Sequence, residues 1–382
     1  MSVWRRILIG TGTAAVAAVL GAAGWIASLG PVPRGDGLDT STVVVDREGR
    51  LLRPYATADG RWRLPAKVDS VDPRYLDVLF AFEDKRFRDH AGVDPLALLR
   101  AAWQLGHNSR IVSGGSTLTM QVARLLEPRS ERSLGAKLRQ IVRAVELERA
   151  LGKDEVLALY LSLAPYGGNL EGIRAASLSY LGKEPRRLTL GEAALLVALP
   201  QSPEARRPDR AAEVARVARD RVLDRVAAAG LYPPPEIDRA KAEPVPNVRK
   251  PMPTLAPHSA DAAVAALPAA KFHQLTIDAV WQKSLQDLAR ERARLLGNDI
   301  SVAILAVDHA SGEVLARVAS AGYFDMRRAG QVDMTQALRS PFRTPLAHAT
   351  GFLTAPQPLS PLQVAQDPRK TSDSSWQQHL PR

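Results

Sequence analysis

The chain has 382 residues, enough for two domains with substantial cores, and its 46% hydrophobic but only 5% aromatic content makes those cores largely aliphatic. A formal net charge of +11, from 51 Lys and Arg against 40 Asp and Glu, favours anionic partners: nucleic acid, anionic lipid or phosphate-bearing substrates. The absence of cysteine excludes disulfides, thiolate metal sites and cysteine nucleophiles.

A short tail, residues 1–6, ends in Arg5 and Arg6, and residues 7–29 carry no charge. At about 1.5 Å per residue this stretch, as a helix, spans the roughly 30 Å hydrocarbon layer. The arginines place the tail in the cytoplasm and the remainder outside. A cleaved signal peptide is the competing reading, but the run is long for one, and Ala22-Ala23-Gly24-Trp25 offers no clean cleavage site. Residues 30–65 read as a linker with small strands, Thr42 to Val45 being one, followed by a turn at Asp46 to Arg50.

Residues 66–230 carry helical patterns joined by short loops. Leu134, Leu138, Ile141, Val142 and Val145 fall on one helical face. Thr189-Leu190-Gly191-Glu192 is a capping-box pattern opening the apolar run Ala193 to Leu199, which Pro200 stops. Residues 231–270, with Pro233-Pro234-Pro235, Pro244, Pro246, Pro251, Pro253 and Pro257, read as a linker. Ser301 to Val307 and Glu313 to Val318 flank a turn and predict a hairpin, and residues 342–382 have no plausible core face and read as disordered. The fold class expected is mainly α, with a partial α/β unit near the C-terminus.

Two clusters carry chemistry. In the first, Glu83 to Asp94, a helical reading puts Leu76, Leu79, Phe80, Glu83 and Phe87 on one apolar stripe. A carboxylate there is anomalous, and partial burial would lift it towards a proton affinity useful at neutral pH. The plainer reading is a helix-edge Glu paired with a nearby cation, and His90 alone is more often structural than catalytic. In the second, Ser113 to Gln121, two glycines and hydroxyl residues at a helix start expose backbone N–H groups suited to phosphate. Many such turns only cap helices. Arg124, Arg129, Arg132, Lys137, Arg139 and Arg143 follow, and Arg139 with Arg143 fit an ordinary solvated face. Together, carboxylate, anion-binding turn and cations suggest transfer from a phosphate-activated donor.

These residues also carry a resemblance. Glu83-Asp84, Phe87, His90, Gly92 and Asp94 look like the first motif of the peptidoglycan glycosyltransferases, glycosyltransferase family 51. Gly114 to Gln121 is similar to the second, with Met120 where Gln is usual, and Lys137 to Gln140 to the third, with Ala136 and Gln140 as departures. Val156-Leu157, Tyr160-Leu161, Gly167, Gly172, Ala176 and Tyr180 to Lys183 resemble the fourth, with Ser162 replacing Asn; Glu192 through Pro203 resembles the fifth. Five motifs in order make the resemblance specific.

The resemblance implies a lysozyme-like helical domain, behind one transmembrane helix, that polymerises lipid II. Glu83 maps to the base that deprotonates the GlcNAc 4-hydroxyl, which attacks MurNAc C1 with inversion. Arg124, Arg132 and Lys137 would hold pyrophosphates, while Asp84, Phe87, His90, Gly115, Ser116, Thr117, Gln121 and Gln140 would serve the substrate cleft. Gln140 stands where many members have a second glutamate assigned to the donor or a divalent cation. A neutral amide supplies no charge for a metal, so no cofactor is expected to be required. The implied partners are lipid II, glycan linked to undecaprenyl pyrophosphate, the inner membrane and other cell-wall synthesis proteins. Nucleic acid is excluded by the periplasmic placement.

The pattern is closest to the 1C-type penicillin-binding proteins, in which a transpeptidase domain follows. Residues 271–341 resemble that domain's beginning, but Phe342 to Leu346 stand where Ser-x-x-Lys is usual, and neither Ser-x-Asn nor Lys-Thr-Gly appears. The expectation is a truncated transpeptidase without penicillin-binding activity. A lysozyme-like lytic enzyme is the enzymatic rival, and an inactive anchored fragment that only binds cell-wall partners is the other.

Overall fold

A computed structural model describes residues 3–100, 115–128 and 133–336, with side chains from Val16 onward except that of Leu134. The tail at 342–382, Gly114, Arg129 and Arg132 lie outside the described residues.

Helix α1, Val3–Ser28, runs through most of the stretch expected to cross the membrane. Among the described residues, no helix is long and apolar enough to cross one. The side chains of α1 that are described, including Val16, Val19 and Leu20, are exposed.

The helical domain forms around α7, Leu190–Ala198, in which every residue but Glu192 is buried. A helix apolar on all sides belongs at the centre of a core. It packs against α2 (Pro73–Glu83), α8 (Pro208–Ala228) and α9 (Pro234–Ala242). The capping box is present: the Glu192 amide donates to Thr189 Oγ at 3.1 Å, and the Thr189 amide donates to Glu192 Oε2 at 2.8 Å. Pro200 does end the helix, within a 3₁₀ turn over Leu199–Gln201. The other members of the domain are α3 (Leu118–Leu126), α4 (Leu134–Ala150), α5 (Lys153–Leu163) and the short α6 (Ile173–Ala176).

On α4 the buried residues are Arg143, Ala144 and Leu147, while Leu138 is 56% exposed and Ile141, Val142 and Val145 are half-buried. The aliphatic face read from the sequence is thus rotated. Its inner side accommodates a close backbone contact and a buried guanidinium, neither of which periodicity registers.

The proline-rich stretch is partly helical. Both α9 and α10 (Pro257–Ala266) begin on proline, where a fixed φ and a missing N–H suit the first helical turn. Ile237 and Ala240 of α9 join the main core, and Ala260 and Ala263 of α10 join a second one. That second core lies against a three-stranded sheet of β1 (Val43–Val45), β2 (Leu51–Pro54) and β5 (Phe272–Gln274), in the order β2-β1-β5. β1 pairs antiparallel with β2 and parallel with β5, so segments from either side of the helical domain close one sheet. A second small pairing joins β3 (Trp62–Arg63) to β4 (Leu170–Glu171) inside the helical block, where no strand was expected.

Beyond the sheet, α11 (Ala279–Leu296) packs on a hairpin of β6 (Ile304–Val307) and β7 (Val314–Val318). Buried Gln282 donates to the Arg317 carbonyl at 2.9 Å and accepts from the Arg317 amide at 2.7 Å, acting as a strand partner to β7. Asp46 fastens the turn after β1 to this unit. Its fully buried carboxylate accepts from the amides of Glu48 (2.9 Å), Arg50 (2.8 Å) and Ala279 (3.0 Å) and from Arg50 Nε (2.7 Å). Asp46→Ala strands the buried Ala279 amide and leaves the partly buried Glu48 and Arg50 donors unmatched, a buried donor costing about 1–3 kcal/mol. Chemical denaturation should show a loss of at least about 2 kcal/mol; an unchanged midpoint would refute the assigned role.

Candidate active site

Helix α2 starts at an Asp72 cap, whose carboxylate accepts from the Arg74 amide (3.0 Å) and the Leu188 amide (2.8 Å). It stops at Glu83 because Asp84 leaves helical geometry, at φ −156° and ψ 80°. Phe87 therefore lies beyond the helix instead of on its stripe. It is buried in the following turn, its ring stacked on Phe80 at 5.4 Å between centroids.

The C-terminal end of a helix is unfavourable for an anion. Two amides offset this at Glu83: Gln121 Nε2 donates to Oε2 at 2.9 Å and Gln201 Nε2 donates to Oε1 at 2.8 Å. Arg206 donates to Gln201 Oε1 at 3.1 Å and to the Ala198 carbonyl at 2.6 Å, which sets the direction of the Gln201 amide. Around this side lie Tyr75, Tyr160 and Tyr166, whose hydroxyls burial pushes far above their usual range, leaving them neutral. Glu83 itself is half-buried and open to a ligand.

Asp84 points the other way. Its buried carboxylate accepts the Leu118 amide at 3.0 Å and meets His90 Nε2 at 3.0 Å. The anion at the start of α3 is thus an internal side chain, and the helix start read as a phosphate site is occupied. Thr117 is also enclosed: its Oγ donates to the Gly92 carbonyl at 2.6 Å and accepts the Met120 amide at 3.1 Å. The side chains of Asp84, Phe87, His90 and Thr117, expected to serve the substrate cleft, are instead packed inside the fold. Lys153 completes this layer, donating to the His90 carbonyl (2.5 Å) and to Glu148 (2.7 Å), with Thr119 on the same Glu148 oxygen at 2.6 Å.

Lys137 on α4 meets Ser116 Oγ just before α3. Burial, and then the nearby Arg124, holds its ammonium below the usual lysine range. Neither Lys137 nor Arg124 has a carboxylate partner among the described residues, so both cations are free to meet an anion. Gly115 precedes this pair, half-buried. Gln140 is half-buried and makes no hydrogen bond to described residues. Arg143, read as part of a solvated face, is 1% exposed. Ser162, the departure in the fourth motif, accepts the Ala66 amide at 3.1 Å, a role that needs only a side-chain acceptor.

The transglycosylase family model matches residues 48–227, and this part of the chain is a transglycosylase domain. Penicillin-binding protein 1C of Escherichia coli is 41% identical over 346 residues, covering 90% of this chain and 44% of that protein. Penicillin-binding protein 1A of Aquifex aeolicus is 36% identical over 202 residues, 53% of this chain and 27% of that protein. A crystal structure of penicillin-binding protein 1A from Haemophilus influenzae aligns at 17% identity and TM-score 0.31, over 73% of this chain and 39% of that one, a likeness too slight to carry an argument. Residues 48–227 belong to the transglycosylase family, the chain is similar to penicillin-binding proteins 1C and 1A, and it spans less than half the length of the curated relatives it matches.

Gln201, Arg206 and Arg143 were not among the site residues expected. Gln201 lies within the fifth motif, which was the available signal; Arg206 and Arg143 had none beyond their charge. Gly92 is explained by contact: at φ +85° an added Cβ would lie 2.3 Å from the Ala144 carbonyl oxygen of α4. Gly92→Ala should therefore cost at least about 1–3 kcal/mol in a thermal unfolding measurement. Wild-type stability in that variant would show that the turn shifts freely.

Proposed function

We propose that this domain polymerises lipid II into glycan strands. The observation that carries the reading is the half-buried carboxylate of Glu83, oriented by two amides, one of them on the helix that also carries Arg124, with Arg124 and Lys137 free of carboxylate partners among the described residues. Glu83 takes the proton of the acceptor's GlcNAc 4-hydroxyl as that oxygen bonds to MurNAc C1 of the donor. The C1–phosphate bond breaks on the opposite face, inverting the centre, and its electron pair leaves on undecaprenyl pyrophosphate.

This chemistry suits one carboxylate. A glycosidase needs an acid to protonate a poor leaving group and a second carboxyl on the other side. Pyrophosphate leaves as an anion and needs cations instead. Asp84, the adjacent carboxylate, is engaged with Leu118 and His90 and is not placed for a second catalytic role. A lytic reaction is correspondingly disfavoured. Lys137, Ser116, Arg124 and, by its motif, Arg132 hold the pyrophosphates, and Gln140 offers an uncharged amide to the donor. No metal is required in this reading.

Arg5 and Arg6 ahead of the uncharged residues 7–29 support an enzyme anchored in the inner membrane with its catalytic domain on the periplasmic side. The 382-residue sequence contains no Ser-x-x-Lys, so penicillin acylation is not expected of these residues.

In a polymerisation assay with purified chain, glycan strands should form, and Glu83→Gln should reduce the rate by at least about 100-fold. Full activity in that variant would overturn the mechanism. Gln201→Ala should lower kcat by about 10- to 100-fold, the worth of a hydrogen bond to a charged group, with Gln121→Ala behaving alike; unchanged kcat in both would deny the amides an orienting role. The depressed proton affinity of Lys137 fixes a sign as well. Phosphate binding needs the ammonium, so substrate affinity should begin to fall, as pH rises, at lower pH than an ordinary lysine dictates. Lys137→Arg should remove that alkaline loss, and its persistence would assign it to another group.

A further inference from the structure

The most unusual side chain outside the cleft is Arg143, a guanidinium 2% exposed. It donates to the carbonyls of Leu29 (2.6 Å) and Gly30 (3.1 Å), the two residues directly after α1. It also pairs with Glu127 at 3.0 Å and Glu146 at 2.9 Å. Glu127 is the C-cap of α3, which carries Gln121 and Arg124, while Arg143 itself lies on α4, which carries Lys137 and Gln140. Arg139 of α4 adds a second contact to Glu127 at 3.3 Å. One buried group thus joins the exit of α1 to both helices that hold the cleft's cations.

A solvated face would not need this arrangement. Burying an arginine is costly unless its charge and its donors are matched. Here two carboxylates and two carbonyls meet its two terminal nitrogens, while Nε is buried without a partner among the described residues, and the carbonyls are those just past the end of α1. Only a planar fork with several donors reaches acceptors on three separate segments.

We propose that Arg143 is a positioning residue that fixes the Lys137 and Arg124 side of the cleft relative to the end of α1. The inference rests on the glycosyltransferase reading for its functional consequence. A substrate whose lipid tail stays in the bilayer presents its pyrophosphate at a set height, so cations held at a fixed offset from the anchor's exit meet it without reorganisation. Misplacement of about 1 Å costs as much as 100-fold in comparable positioning. The loss should fall chiefly on substrate capture, since Lys137 shares a helix with Arg143, whereas Glu83 is also held by Gln201, on a segment that Arg143 does not touch.

The test uses the full chain in lipid vesicles with lipid II, comparing wild type with Arg143→Met and Arg143→Lys. Arg143→Met should raise KM about tenfold with kcat within a factor of about two, and Arg143→Lys should fall between. The absence of cysteine permits spin labels at Arg34→Cys and Leu138→Cys, both exposed positions flanking the joint. Their distance distribution should be narrow with Arg143 and broad with Met. Unchanged KM and an unchanged distribution would overturn the proposal, as would a fall in kcat alone that tracks lost folded protein. If Arg143→Met does not fold, Arg143→Lys, which keeps the charge, supplies the same two readouts. A wild-type chain that makes no glycan would instead sink the glycosyltransferase reading, leaving the distance measurement to decide the joint.

Discussion

The buried Asp84 carboxylate seated on the start of α3 is the contact on which the site depends. It accepts the Leu118 amide, so the end of α2 and the beginning of α3 are held together by one side chain. A helix N-terminus is a favourable place for a negative charge, and the enclosed setting strengthens that attraction. Two consequences follow from the chain geometry alone. Glu83, one residue earlier, is brought against Gln121, one turn into α3, and Ser116, two residues before Leu118, is brought against Lys137. Glu83 and Lys137 therefore take their relative positions from a neighbour, Asp84, that is itself buried.

Adjacent carboxylates thus have opposite duties. Asp84 is saturated by a backbone amide and a histidine, with Thr117, Gly92 and Lys153 closing the layer around it. Among the described residues Glu83 is held by two side-chain amides, which orient a carboxylate without adding positive charge beside it. A lysine or arginine in direct contact would compete with a proton for the same oxygens. The cation nearest in this network, Arg206, reaches Glu83 through the Gln201 amide. Orientation and charge neutralisation are separated, which suits a group whose task is to accept a proton.

How much of this was legible in the sequence depends on the range of the interaction. The capping box at Thr189 and the apolar α7 are local and were readable, as was the oddity of a carboxylate among apolar residues at Glu83. The stripe through Phe87 misled because a periodic pattern carries no mark of where the helix stops, and Asp84 stops it. The linker reading of Pro234 and Pro257 fails because proline also suits the first turn of a helix, and packing decides for the helix. Asp84 against Leu118 spans 34 residues and Arg143 against Leu29 spans 114, and no spacing rule reaches so far. The helix start before Leu118, read as a phosphate site, instead holds the Asp84 carboxylate. Its occupant was the part that needed a structure.

The three-stranded sheet extends the same logic outward. β1 is made before the helical domain and β5 after it, and their parallel pairing closes the chain around that domain. Asp46 then ties the β1 turn to the start of α11, so the hairpin unit beyond is fixed to the strands and not merely tethered. The linker on the N-terminal side is thereby shared structure: it is held at one end by Arg143 near Leu29, pairs in β1 and β2 midway, and pairs in β3 at its far end. A segment anchored at three places cannot act as a flexible tether. The separation between the end of α1 and the cleft is consequently a property of the folded protein, with Arg143 the point at which it is set.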